Sequence, residues 1–317
     1  MAKAIIKKQS INLNGNGINN STTEKRLEVL KTYKIYIGGQ FPRTESGRYY
    51  VATNSKNEKL ANVCLSSRKD FRDAVVSARG AFGGWAGRAA FNRGQILYRI
   101  AEMLEGRKAQ FIEELMKQDA TKLQAENEVN LAIDRLIYYS GWCDKFQQLF
   151  SAVNPVASSH FNFSVPEPMG VVAAIAPQSD SLIGLVSIIA PVIAGGNTCI
   201  VLASNSKPHS AVTFAEVLNS SDLPGGVVNI LTGKVAELAP YFSDHMDVNA
   251  TVYCEPDKAV LALIKEKAAN NVKRVLSYDK VNWKAEEAQS PYFITDLQEI
   301  KTTWHPVENI GGAKAGY

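Results

Sequence analysis

The forty-two residues from Glu167 to Pro208, EPMGVVAAIAPQSDSLIGLVSIIAPVIAGGNTCIVLASNSKP, constrain the fold more than any other part of this chain. Val171–Ala176 is a continuous apolar run of strand length, bounded by Pro177. Such a run fits a strand buried on both faces, as in a parallel sheet. Ser179, Asp180 and Ser181 are N-cap candidates for the next segment, Leu182–Ala194, which is apolar nearly all round and reads as a buried helix. Gly195-Gly196-Asn197 stops that helix, and Thr198–Ala203 is a second buried strand. The unit is strand, crossover helix, strand, so the strands are parallel and the crossover right-handed.

The flanking patterns extend this unit. Upstream, Tyr33–Gly38 reads as a strand with Gly47–Val51 as its hairpin partner. Helical periodicity then covers Asp70–Phe82, stopped at Gly83-Gly84, followed by Arg93–Arg107, Lys108–Gln118 and a long helix Ala125–Phe150. Leu149–Val165 alternates polar and apolar residues and predicts an exposed two-stranded ribbon, marginal alone and in need of another surface. Downstream, helices at Ser210–Leu218, Ala236–Tyr241 and Lys258–Ala269 alternate with strands at Val227–Leu231, Ala250–Tyr253 and Lys273–Leu276. Tyr292–Trp304 reads as one more strand before a Gly-rich tail. The fold class is therefore α/β: a Rossmann-like, doubly wound parallel sheet with preceding helices and a protruding β-ribbon. The domain reading is a disordered tail over 1–25, a doubly wound α/β domain over 26–148 and 167–285, and the ribbon with its C-terminal segment over 149–166 and 290–317.

Composition excludes several function classes. The net charge of +4 over 317 residues is mild, and no Lys/Arg cluster interleaves with aromatics, so nucleic acid is not an expected partner. The longest apolar region is interrupted by Pro191, Gly195, Gly196 and Asn197, which argues for core and against a membrane span. Cys64, Cys143, Cys199 and Cys254 lack metal or redox spacing and sit in apolar contexts, and no signal peptide is visible; the expectation is a reduced, cytoplasmic protein. His160, His209, His245 and His305 show no ligand spacing, so no metal is expected. Lys258, Lys265, Lys267 and Lys273 read as a solvated helix face and its exit.

Tyr36-Ile37-Gly38-Gly39, Ser46-Gly47-Arg48, Trp85, Arg93, Tyr139-Ser140-Gly141-Trp142, Asp144-Lys145, Glu167-Pro168-Met169-Gly170-Val171-Val172, Gly196-Asn197-Thr198 and Leu223-Pro224-Gly225-Gly226-Val227-Val228-Asn229-Ile230 occur in this order. Each is common alone; together, from about Lys34 to Val275, the chain resembles the aldehyde dehydrogenase superfamily. The resemblance implies a Rossmann-like nicotinamide-binding domain, a catalytic domain with a nucleophilic Cys, and a small oligomerisation ribbon. It implies that the α/β domain over 26–148 and 167–285 is of the NAD-binding type.

Against that pattern the sequence departs where chemistry is done. The family's Leu-Glu-Leu-Gly-Gly, with its general-base Glu, stands here as Leu276-Ser277-Tyr278-Asp279-Lys280, and the chain passes in a few residues to what resembles the C-terminal oligomerisation strand. The resemblance thus implies a truncated member without the catalytic domain. No Gly-Gln-x-Cys motif occurs. The Pro-Trp-Asn whose Asn serves the oxyanion stands as Pro177-Gln178-Ser179. No catalytic residue is expected.

The cofactor positions are degenerate as well: Ser179 beside the first strand, Leu202 and Asn205 where a Lys and a Glu hold the adenosine ribose, and Glu255 and Pro256 where a Gly-Ser meets pyrophosphate. Glu255 reads as a charge at the following helix N-terminus, where a carboxylate is worth about 0.3–1 kcal/mol. One lost charged hydrogen bond costs about 1.5–3 kcal/mol, so with added repulsion NAD affinity falls roughly 10²–10⁴-fold. Lys207 lies near enough to compensate in part. The expectation is no cofactor, or NAD as a weak vestige, on a catalytically inactive subunit. Its expected partner is a second copy, as a dimer, or a full-length aldehyde dehydrogenase. The rival expectations are an NAD-binding sensor and a weakly active oxidoreductase using Cys254.

Overall fold

The apolar run that dominates the sequence folds as a parallel strand pair with its helix packed against it. The structure, a computed structural model, describes residues 29–307. The expected tail over 1–25 and the Gly-rich end lie outside the described residues.

In chain order, β1 (Thr32–Tyr33), β2 (Tyr49–Thr53) and β3 (Lys59–Cys64) form a small sheet in the order β1-β3-β2. This corrects the expected hairpin of Gly47–Val51 with Tyr33–Gly38. The hairpin partner of β2 is β3, running antiparallel to it. Its turn is set by asparagines: Asn54 Oδ1 accepts from Lys56 and Glu58 N–H at 3.1 and 2.9 Å, and Asn57 adopts φ 59°. Tyr36 instead exchanges backbone bonds of 2.9 and 2.8 Å with Ile230.

Four helices follow: α1 (Arg68–Ala86), α2 (Ala90–Gly106), α3 (Lys108–Lys117) and α4 (Lys122–Ser140). Capping boxes start α1 at Ser67/Asp70 and α4 at Thr121/Gln124. The expected stop at Gly83-Gly84 does not occur. Trp85, buried with its Nε1 donating to Ile193 O at 3.0 Å, anchors the last turn, and that burial outweighs a propensity cost of about 1 kcal/mol per glycine. The expected helix Ala125–Phe150 is two pieces, because Gly141 caps α4 and α5 is only Phe146–Phe150. Here α2 crosses so close that a Cβ on Gly94 would lie 2.8 Å from Ser140 O.

Next come β4 (Ala152–Asn154), β5 (His160–Pro168), β6 (Val171–Ile175), α6 (Ile183–Ala194), β7 (Thr198–Leu202), α7 (His209–Asn219), β8 (Val228–Leu231), α8 (Val235–Asp244), β9 (Ala250–Tyr253), α9 (Lys258–Ala269) and β10 (Arg274–Ser277). The parallel sheet has the order β10-β9-β6-β7-β8. Val172 and Ala174 face a core built with α2, α4, α6 and α7, whereas Val171, Ala173 and Ile175 face one built with α1 and α8. Successive strand residues point to opposite faces, so a strand covered on both sides must be apolar throughout, as β6 is.

Beyond β10, Tyr278–Leu297 packs Trp283, Ala288 and Ile294 into the core beside α6, and α10 (Tyr292–Thr295) precedes β11 (Gln298–Pro306). The expected strand Tyr292–Trp304 is therefore a helical turn and then a strand. Pro291 at the N-cap of α10 has the helical φ of −64°. Burying Ile294 and Leu297 settles the turn. The ribbon is three-stranded, β11-β5-β4, all antiparallel.

Candidate functional site: a closed crevice at the strand ends

In an open parallel sheet, a ligand crevice forms at the carboxyl ends of the strands where the strand order reverses. Here β6 leads to β7 and β8 on one side, while β9 and β10 lie on the other. The crevice therefore falls between the loop after β6 and the loop after β9. Polar side chains from several elements bridge it and its margins.

Gln178 is the hub. Its backbone N–H donates to Glu255 Oε1 at 2.7 Å, which ties the two loops across the switch point. Its Oε1 accepts from Asn205 N–H at 2.8 Å and its Nε2 donates to Ala176 O at 3.1 Å. Ser204 Oγ donates to Gln178 O at 2.8 Å, and Tyr50 OH donates to Asn205 O at 3.1 Å. Lys207 directs its Nζ to Ser179 O at 3.2 Å. On the far side, Lys284 Nζ meets Asp180 Oδ1 at 2.8 Å, bringing the segment after β10 against the same loop. Asn205 Oδ1 is buried without a partner among the described residues.

The helix N-termini that open on the crevice already hold carboxylates. Glu128, buried on α4, accepts from Leu182 N–H at 2.8 Å and Ile183 N–H at 3.3 Å, at the start of α6. Asp257 accepts from Ala259 and Val260 N–H at 2.8 and 3.2 Å, at the start of α9. Free N–H groups and the helix dipole at such ends are what an exogenous phosphate would use. Both ends are neutralised from within.

Several site expectations change here. None of Ser179, Asp180 and Ser181 caps α6: Ser179 Oγ donates to Asp180, and Ser181 Oγ accepts from Ser210 Oγ at 3.1 Å. The cap comes from Glu128, 54 residues upstream, so no local pattern could reveal it. Glu255 is not the N-terminal charge of α9, since Asp257 takes that role; Glu255 closes the crevice instead. Ser179, Asn205 and Glu255 do converge on one site. Leu202 is a buried strand end, and Pro256 has no N–H to offer a phosphate. Lys273 is not solvated: it is 9% exposed, donates to His245 O at 2.6 Å, and burial lowers its pKa to about 8.

All four cysteines are free and buried. Burial pushes the Cys143 thiol up to about 12, and those of Cys199 and Cys254 well above the ordinary range, with Glu255 adding to the shift at Cys254. Each of these three holds its proton at neutral pH, which removes the thiolate a nucleophile requires. No group of three or more His, Cys, Asp or Glu side chains among the described residues could hold a metal ion. No helix among them is long and apolar enough to cross a membrane. Cavities of about 390 Å³ beside Asn249 and Lys273, and about 480 Å³ beside Gly94 and Tyr98, open elsewhere on the surface.

The parallel sheet with its switch point, the helices on both faces and the protruding three-stranded ribbon define a Rossmann-like α/β protein of the dinucleotide-binding type. Residues 41–277 match the aldehyde dehydrogenase family, and the chain belongs to that family. Cytosolic 10-formyltetrahydrofolate dehydrogenase of Mus musculus is 30% identical over 257 residues, covering 79% of this chain and 28% of that protein. The mitochondrial 10-formyltetrahydrofolate dehydrogenase of Homo sapiens is 29% identical over 255 residues, covering 78% and 28%. The chain thus spans under a third of these curated relatives. Among solved structures, the NAD+ complex of aldehyde dehydrogenase from Bacillus cereus superposes with a TM-score of 0.73 at 23% identity, over 78% of this chain and 50% of that one. HpcC from Thermus thermophilus gives a TM-score of 0.74 at 25% identity, over 78% and 48%.

Proposed function

We propose that this chain is a non-catalytic member of the aldehyde dehydrogenase family that serves as a structural or regulatory subunit, associating through its ribbon. The partner is a second copy or a full-length aldehyde dehydrogenase. The observation that carries this reading is the crevice at the switch point, closed by Glu255 on Gln178 N–H at 2.7 Å. A dinucleotide entering there would have to break that charged bond, at about 1.5–3 kcal/mol, and displace Glu128 and Asp257 from the two helix ends. The protonated state of Cys143, Cys199 and Cys254 supports the same reading. So does the run of only twenty residues, 278–297, between β10 and β11. A cytoplasmic location belongs to the proposal; the relatives themselves include both cytosolic and mitochondrial proteins.

Titration calorimetry with NAD and NADP tests it. A dissociation constant weaker than about 1 mM is expected. Binding tighter than about 100 µM, near −5.5 kcal/mol, favours the rival reading of a sensor that holds NAD without turnover. Asn205 Oδ1 and Lys207 are the residues that rival would use. Turnover of an aldehyde that disappears in Cys254→Ser would establish an active oxidoreductase.

A further inference from the structure

Among the described residues no strand pairs with the outer edge of β11, a nine-residue strand at the margin of the ribbon. Three contacts reveal which backbone groups that edge presents. Val307 N–H donates to Ser159 O at 3.0 Å, toward β5. Pro166 O, in the residue opposite Ile300, accepts from Gln147 Nε2 at 3.2 Å on the side away from β11. Gln298 O accepts from Arg274 Nη1 at 2.8 Å, from outside the ribbon. Because an antiparallel ladder alternates, the odd positions Glu299 to His305 bond to β5, and the backbones of Ile300, Thr302 and Trp304 face outward.

The geometry points to a second copy of this chain as the occupant, with two β11 edges pairing antiparallel about a two-fold axis at Thr302 to make one six-stranded sheet. The inference rests on the reading that the ribbon is where the chain associates, and adds the partner, the strand and the register. Outward groups must meet outward groups, which rules out every register in which an even position opposes an odd one. Centring on Thr302 sets Ile300 opposite the partner's Trp304, and Glu299 opposite the partner's His305. The Ile300–Trp304 pair is an apolar cross-strand contact of the favourable kind, and no like charges meet in this register. Centring on Lys301 sets two lysines face to face, which is unfavourable. Centring on Thr303 opposes Ile300 to Pro306, which has no N–H to donate. The side chains of Ile300 and Trp304, 62% and 57% exposed, share one face of the strand, and the two-fold brings four of them together. Free strand edges are normally guarded by charge or proline. On this edge the guards are Glu299, already paired with Arg274 at 2.9 Å, Lys301, already paired with Glu167 at 3.2 Å, and a proline at the end.

The test is Thr302→Cys under a mild oxidant, with Lys301→Cys as control; the native cysteines are all buried and give no background. Directly opposed residues of a hydrogen-bonded pair lie about 5.5 Å apart at Cα, within disulfide reach. Residues 301 of the two copies are offset by two positions, beyond the limit of about 7 Å. A cross-linked dimer is expected at 302 and none at 301. Thr302→Pro is the second variant. It removes an N–H that points away from β5 together with the 2.8 Å bond between the Thr302 and Ser164 hydroxyls. Measured against Thr302→Val, which loses only that bond, the thermal midpoint holds while the dimer dissociation constant in sedimentation rises at least tenfold. A dimer that cross-links at 301, or at neither site, overturns this pairing and leaves ribbon-borne association standing. Complex formation only with a co-expressed full-length aldehyde dehydrogenase overturns the second copy as occupant and nothing else. A monomer at about 100 µM, alone and beside that dehydrogenase, overturns both.

Discussion

His209 makes the stability of this protein depend on acid in a way that can be worked out in advance. It lies at the start of α7, 3% exposed, its ring stacked 4.7 Å from that of Tyr33. Burial, reinforced by Lys31 and Lys117, lowers its pKa from 6.5 to about 4. A folded pKa below the unfolded one means that the unfolded chain binds more protons between the two values, so stability falls as pH drops through that window. Between pH 7 and 4.5 the linkage integral for these two pKa values is about 2 kcal/mol. Glu114, also buried and hydrogen-bonded to Tyr33 at 3.2 Å and Thr213 at 2.7 Å, works in the opposite sense. Burial raises its pKa, so its penalty at neutral pH is relieved by acid. The measurement is therefore a difference. Urea unfolding of the natural chain and of His209→Phe is compared at both pH values, the phenyl ring keeping the stack on Tyr33. The natural chain should lose about 2 kcal/mol more than the variant, or about 0.7 M in midpoint at an m-value near 3 kcal/mol/M. Equal losses in the two proteins would refute the account.

Gly226→Ala should cost about 2–5 kcal/mol in urea unfolding, because φ is 92° and the new Cβ would sit 2.7 Å from Ser77 O. Arg135→Met should destabilise by about 2–4 kcal/mol and redden Trp283 fluorescence, since the buried guanidinium donates to Ser187 Oγ at 2.9 Å, Ala288 O at 2.5 Å and Trp283 O at 3.3 Å. Glu128→Ala strips the cap from α6 and should cost about 1–2 kcal/mol in thermal or urea unfolding. A thiol reagent should label Cys143, Cys199 and Cys254 only after denaturation, given their burial and raised pKa values; labelling of Cys254 in the native protein would restore it as a candidate nucleophile.

The alternation of apolar runs was enough to locate β6, α6, β7, β8 and β9 within a residue or two, because a strand or helix buried all round has to be apolar all round. The helix α9, which buries only Ile264 and Ala268, was legible instead from its Ala/Lys-rich helical composition. The ribbon was legible in the polar/apolar alternation of Ser159–Val165. The errors fell where local propensity competes with distant packing. Glycines at 83 and 84 looked like a stop, yet Trp85 carries the helix past them to Ala86. Tyr292–Thr295 looked like strand, yet Pro291 and the burial of Ile294 turn it into helix. The hairpin of β2 and β3 was there to be found in Asn54 and Asn57, two residues with known turn chemistry.

What the sequence determined alone is the architecture and the absence of the familiar chemical motifs from the positions where the resemblance would put them, since both follow from residue type and order. Tertiary structure decided the state of the crevice. Gln178, Asn205 and Glu255 are separated by up to 77 positions, and Glu128 lies 54 from the helix end it caps. A hydrogen bond depends on distances of a few tenths of an ångström between groups that only the folded sheet brings together, so no reading of the chain as a string could tell an open cleft from a closed one.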